Sequence, residues 1–348
     1  MDIRPPSPLP NTSFLASRVT DQDDILSPSP LGNSSVTAAE RTTQVGGITP
    51  LVTSDTYTVF ILVNSYVLTG SIAVFGVCSN SLNLVVYLKL GLRETTNMSF
   101  FSLAIVDWVV SVCSCLSVFP HLPFEFARQI QHLGYHVAAI MFPCLGLGAW
   151  VTAMLSVERC LCIVLPLKVK TIVTRQRLVC LICGMAVYQV VFAVLMLTIV
   201  HPPYNKPNPT RVVLLLYSVS IPVFLCFSLV LCSTSFMVIR LRRTLEWRTA
   251  TTAQAASTSG VKERKVVLSV LWVCIMFIVC FTPNVALFVT TVIFPSFTLW
   301  DPYYGWLVHI IYTFSYLFQA VSSASNIIVY YNVSTRFRDV LKGLFVRK

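Results

Sequence analysis

Charge is the scarcest property of this chain. Asp, Glu, Lys and Arg make up 11% of its 348 residues, against about 25% in an average soluble domain. That excludes an ordinary water-soluble fold. Acids are the rarer sign, 14 Asp and Glu against 25 Lys and Arg. The net charge of +11 raises nucleic acid as a partner. The basic residues fall between apolar runs and not on one soluble face, so nucleic acid is excluded. The chain also lacks a nucleophile–base constellation, a Gly-rich phosphate loop and a metal-ligand set. The pairs Cys113/Cys115, Cys160/Cys162 and Cys180/Cys183 lack zinc-ribbon spacing and lie in apolar surroundings. No enzyme chemistry, no catalytic residue and no bound metal are expected. No cleavable signal peptide is apparent at the start.

What is present is apolar length. Hydrophobic residues make up 55% of the chain, and they gather into runs long enough to cross a bilayer core of about 30 Å. Seven helical spans are expected: Tyr57–Leu88, Asn97–Leu122, Leu133–Leu165, Gln176–Val200, Arg211–Leu241, Arg264–Phe294 and Tyr303–Tyr331. Pro222 and Pro283 fall inside two of them and are expected to kink them. The fold class is therefore an all-α membrane protein, a seven-transmembrane helix bundle.

Three regions follow. Residues 1–56 form a Pro-, Ser- and Thr-rich tail with too little apolar surface to fold alone, read as a disordered extracellular segment. It carries two glycosylation sequons, at Asn11 and Asn33. Residues 57–332 form the membrane bundle. Residues 333–348 form an amphipathic surface helix and a short tail, with Ser334 as cap, Phe337, Leu341, Leu344 and Phe345 on one face, and Arg336, Arg338 and Lys342 beside them. Nineteen of the 25 basic residues fall on one side of the spans. The positive-inside rule makes that side cytoplasmic and leaves the sequon-bearing N-terminus outside. The protein is expected to be a multi-pass plasma-membrane protein in contact with lipid.

Several short motifs sit on these spans in a fixed order. They are Asn80 on the first, Leu103-Ala104-Ile105-Val106-Asp107 on the second, Trp150 and Glu158-Arg159-Cys160 with Pro166 on and after the third, and Pro222 on the fifth. Phe277-Ile-Val-Cys280-Phe281-Thr-Pro283 lies on the sixth, and Asn326-Ile-Ile-Val-Tyr330 followed by Phe337 closes the seventh. In this order they resemble the rhodopsin-like (class A) G-protein-coupled receptors over roughly Tyr57 to Phe345. The stretch Leu155 to Thr174 further resembles invertebrate chemosensory-type members. The resemblance implies a receptor that binds an extracellular ligand, a small chemosensory molecule or a short peptide, and activates a heterotrimeric G protein by outward movement of the sixth helix. Arrestin and receptor kinases are the further partners it implies.

The resemblance also distributes roles. The activation switch is expected at Glu158, Arg159, Glu263, Phe277, Phe281, Pro283, Asn326 and Tyr330, with Arg159 paired to Glu158 and to Glu263. Asp107 is the one acid deep inside a span, where an ionisable group is functional by default. The resemblance makes it a sodium or proton site with Ser322, Ser323 and Asn326. That site is weakened by Gly148 where the family has a hydroxyl and by Phe281 where it has Trp. Met141 lies eighteen residues before Arg159, about five turns up the same helix face. It is expected to line an outer ligand pocket with Phe142 and Leu145. Ser117, His121, Ser218, Phe281, Asn284, Phe288, Tyr312, Tyr316 and Gln319 join it from other spans. Amine receptors of the family carry an acid at the Met141 position, so an amine ligand is disfavoured. Retinal-binding members carry a lysine at Ala320, so covalent retinal is excluded. No cofactor is expected beyond weak allosteric sodium. The usual outer disulfide is missing at both ends, with Gly134 at one and no cysteine between residues 201 and 210 at the other. Ile327 replaces the seventh-helix Pro, and the fourth-helix Trp is absent near Met185. The rival class, a secondary transporter or ligand-gated channel, predicts internal repeats or several intramembrane charges. The chain has one deep acid and no repeat.

Overall fold

Long helices account for nearly all of the described backbone in the computed structural model. It describes residues 49–118, 133–165, 168–200, 209–250, 258–298 and 301–345, all within one unit, Ile48–Lys348. Among the described residues, seven helices are long and apolar enough to cross a membrane. They are α1 (Ser54–Leu90), α2 (Thr95–Val118), α3 (Leu133–Val164), α4 (Arg175–Val200), α5 (Pro209–Ala250), α6 (Thr258–Ile293) and α7 (Gly305–Val333). A shorter α8 (Thr335–Phe345) follows, and a single helical turn, Val169–Ile172, separates α3 from α4. Among the described residues there is no strand. In hydrocarbon each span must satisfy its own backbone hydrogen bonds, and a helix does so within itself.

The burial pattern is that of a bundle whose solvent is lipid. Val59, Val67, Val187, Val190 and Leu225 are among the most exposed side chains, whereas Asn80, Asn83, Ser99 and Ser156 are fully buried. α3 packs on α2, α4, α5 and α6, and α7 packs on α1, α2 and α6. Asn80 ties α1 to α7, its Nδ2 donating to the Gly76 carbonyl at 3.1 Å and to the Ser323 carbonyl at 3.2 Å. At Gly76 the backbones come so close that an added Cβ would lie 2.5 Å from Ser111 Oγ on α2.

Helix ends follow side-chain chemistry. Gly91 ends α1 at φ +84°, a conformation open to glycine, and Asn97 Nδ2 donates to its carbonyl at 3.2 Å. Asp301 Oδ1 accepts from the Tyr303 and Tyr304 amides, each at 2.9 Å, and starts α7. Ser334 Oγ accepts from the Phe337 amide at 3.3 Å and starts α8. Phe337 and Leu341 are buried against the bundle, while Phe345 is 72% exposed.

Three features differ from the sequence reading, and one of its bounds is not described. α5 and α6 extend beyond the apolar runs, to Ala250 and back to Thr258. Hydropathy ends at the membrane surface, but backbone hydrogen bonding continues into water. The expected end of the second span, Leu122, lies outside the described residues. A third proline, Pro143, lies inside α3. Leu62–Thr69 within α1 forms a wide π turn, with Thr69 Oγ1 donating to the Asn64 carbonyl five residues back at 2.8 Å.

Candidate functional site

Arg159 sits near the last turn of α3, at the end of the bundle that also carries Lys168, Arg177 and Arg336. Its Nη2 donates to Glu158 Oε1 at 2.7 Å and also to Thr96 Oγ1. Glu158 Oε1 accepts in addition from Thr95 Oγ1 at 2.6 Å and from Thr96 Oγ1 at 3.4 Å. Glu158 is buried, its side chain 5% exposed, and Arg159 is partly buried at 12%. A buried ion pair is held by the hydrogen bonds around it as much as by charge. Here all three of those bonds involve Thr95 and Thr96, the first residues of α2. Glu158 Oε2 and Arg159 Nε have no protein partner, so the pair is only partly satisfied. Beside it lies a cavity of about 630 Å3, walled by α2, α3, α6 and α7 and lined by Glu158, Arg159, Val267, Ser269, Tyr330 and Arg336. Glu94, one residue before α2, accepts from Arg336 at the start of α8 at 3.3 Å.

Tyr330 anchors the same end. Its ring lies 4.8 Å from Phe100, 5.4 Å from Tyr87 and 5.5 Å from Phe337. On α6, Phe277 stacks on Phe281 at 4.2 Å and reaches Phe227 of α5 at 6.4 Å. Pro283 follows on the same helix. The Glu263 side chain lies outside the described residues.

Asp107 is buried midway along α2. Asn326 Nδ2 of α7 donates to its Oδ2 at 2.7 Å, and Ser323 Oγ donates to its backbone carbonyl at 3.2 Å. A cavity of about 30 Å3, room for one or two waters, is lined by Asp107, Ser322, Ser323, Asn326, Gln319 and Thr152 among others. Gly148 and Phe281 form apolar parts of the wall.

The residues read as an outer pocket divide into two groups. Ser114 Oγ reaches Met141 Sδ at 4.0 Å, and Ser117 Oγ donates to the Ser114 carbonyl at 2.7 Å. Phe142 meets Tyr316 at 6.0 Å, Tyr316 meets Tyr312 at 6.4 Å, and Phe224 meets Phe288 at 6.3 Å. Asn284 is half-buried on α6. Leu145, Phe281 and Gln319 instead line the small cavity around Asp107. His121, Asn11 and Asn33 lie outside the described residues, as does the Ser218 side chain.

The sequence reading did not find Thr95 and Thr96. Their only signal is two hydroxyls directly after a turn, and which helix abuts Arg159 cannot be read from spacing. It also missed Gln189 of α4, whose amide lies against Gly146, where an added Cβ would sit 2.5 Å from Nε2.

Comparison with known proteins agrees with this geometry. Residues 80–330 match the family model described as 7 transmembrane receptor (rhodopsin family). Neuromedin-U receptor 1 of Rattus norvegicus is 25% identical over 300 residues, covering 77% of this chain and 70% of that receptor. The matched segment runs from Asn80, which ties α1 to α7, through Asp107 and the Arg159 pair to Tyr330. The chain belongs to the rhodopsin family of seven-transmembrane receptors.

Proposed function

We propose that this protein is a plasma-membrane receptor, N-terminus outside and C-terminus inside, that transmits occupancy of an outer pocket to a heterotrimeric G protein. The observation that carries the reading is the partly satisfied pair of buried Glu158 and half-buried Arg159 beside a cavity of about 630 Å3. An arginine so placed is restrained at rest and released when α6 swings outward and a G-protein segment enters. Ligand binding shifts an existing equilibrium and does no chemistry. Glu263 at the inner end of α6 is assigned as the second restraint on Arg159, and the Phe277–Phe281 stack with Pro283 as the hinge region of α6. Asn326 and Tyr330 are the α7 part of the switch. Arrestin and receptor kinases engage the same face.

The ligand class favoured is a short peptide. Its support is the similarity to a receptor named for neuromedin U, and the aromatic outer set Phe142, Tyr312 and Tyr316 suits peptide side chains. Met141 offers no counter-charge to an amine. Asp107, Ser322, Ser323 and Asn326 form a sodium or proton site, and Asn11 and Asn33 are glycosylated outside the cell. The test is a screen of short peptides and odorant-like small molecules on cells carrying the receptor and a promiscuous G protein, with nucleotide exchange and membrane current read in parallel. Exchange driven by a peptide is expected. Exchange driven only by small volatile molecules would move the ligand to the chemosensory class. Current without exchange would replace the receptor reading by a channel or transporter.

A further inference from the structure

We propose that Gln319 is a positioning residue for the Asp107 centre, its buried side-chain carbonyl holding a water molecule that links the outer aromatic pocket to the α2–α7 polar bond. Gln319 is 4% exposed, and its Oε1 has no hydrogen-bond partner in the protein. It lines the cavity of about 30 Å3 with Asp107. A buried carbonyl left unpaired is costly, and a polar cavity of this size admits one or two waters. Gln319, Ser322, Ser323 and Asn326 are spaced three, four and seven residues apart, so they share one face of α7. Other polar groups of the wall are already engaged. Thr152 Oγ1 donates to the Gly148 carbonyl at 2.9 Å, Ser323 Oγ to the Asp107 carbonyl, and Asn326 Nδ2 to the carboxylate. A water donating to Gln319 Oε1 has Asp107 and Ser322 as its remaining partners.

The link to the pocket is geometric. Tyr316 lies one turn above Gln319 on α7 and packs on Phe142 of α3. Phe142 lies one turn above Leu145, which lines the same cavity. Displacement of the Phe142–Tyr316 contact therefore bears on the cavity from both walls. The functional arm of this inference rests on the receptor reading above; the stability arm does not.

The experiment compares full-length wild type, Gln319→Met, Gln319→Asn, Asp107→Asn and the Gln319→Met/Asp107→Asn double variant. The methionine keeps the volume and removes the carbonyl, so folding is retained. Basal nucleotide exchange is measured in membranes at matched surface expression, and thermal unfolding on purified receptor. Gln319→Met is expected to raise basal exchange about five-fold, and Gln319→Asn, which keeps a neutral acceptor oxygen, to raise it less. The double variant's unfolding shift is expected to differ from the sum of the single shifts by about 2 °C or more. A Gln319→Met variant with wild-type exchange, or additive unfolding shifts, overturns the proposal. If wild type itself drives no exchange, the receptor reading fails, and the unfolding cycle alone decides for or against Gln319.

Discussion

Thr95 and Glu158 lie 63 residues apart, and the threonine hydroxyl donates to the carboxylate at 2.6 Å. The side-chain hydrogen bonds to the Arg159–Glu158 pair thus come from α2, to Glu158 from Thr95 and Thr96 and to Thr96 from Arg159. Removing a hydrogen bond to a buried charge costs about 1.5–3 kcal/mol. Thr95→Val is expected to raise basal nucleotide exchange several-fold at unchanged surface expression. Nucleotide exchange in membranes with a promiscuous G protein checks it, and a resting rate equal to wild type would remove α2 from the lock.

The assigned partner on α6 makes a separate prediction. Glu263→Ala is expected to raise basal exchange. If both acids restrain the same guanidinium, the Thr95→Val/Glu263→Ala pair will be non-additive. Additive gains would mean that Glu263 acts elsewhere.

Asp107 and Asn326 share a 2.7 Å bond across α2 and α7. Asp107→Asn replaces the acceptor carboxylate with an amide. Wild type is expected to unfold at a higher temperature in sodium chloride than in choline chloride, and Asp107→Asn to abolish the difference. Equal unfolding temperatures for wild type in both salts would leave Asp107 a structural tie only.

Gly76 is a packing position. An added Cβ would meet Ser111 Oγ at 2.5 Å, and that hydroxyl already donates to the Asp107 carbonyl at 2.7 Å. Overpacking of this kind costs about 1–3 kcal/mol. Gly76→Ala is expected to lower surface expression and unfolding temperature, with partial recovery on adding Ser111→Gly. Surface labelling and thermal unfolding read both effects.

Phe337 joins α8 to the bundle. It is fully buried against Tyr87 and Tyr330, so Phe337→Ala is expected to cost about 3–5 kcal/mol. Phe345→Ala, at an exposed position, is expected to leave the unfolding temperature unchanged.

The spans were legible because membrane crossing leaves a composition signal about 20 residues long. The order of Asn80, Asp107, Arg159 and Tyr330 along them pointed to the family. What stayed hidden depends on how helices rotate against one another. Thr95 and Thr96 look like any polar helix start until α2 is set beside α3. Gln319 lines the cavity beside Asp107, and spacing along α7 alone does not separate that position from the outer aromatic set. Pro143 was overlooked because the apolar run around it continues unbroken.

The wide turn at Leu62–Thr69 has a rotational consequence for the first span. Tyr57 reaches His309 and Trp306 of α7, and Asn80 reaches Ser323 of the same helix. At about 100° per residue, the interval from 57 to 80 would leave these two side chains about 140° out of phase. Eight residues wound at about 4.4 per turn take back nearly all of that angle. The unwinding lets a single stripe of α1 follow α7 from Tyr57 down to the level of Asp107. A regular helix there would have to surrender either the aromatic clasp or the asparagine tie.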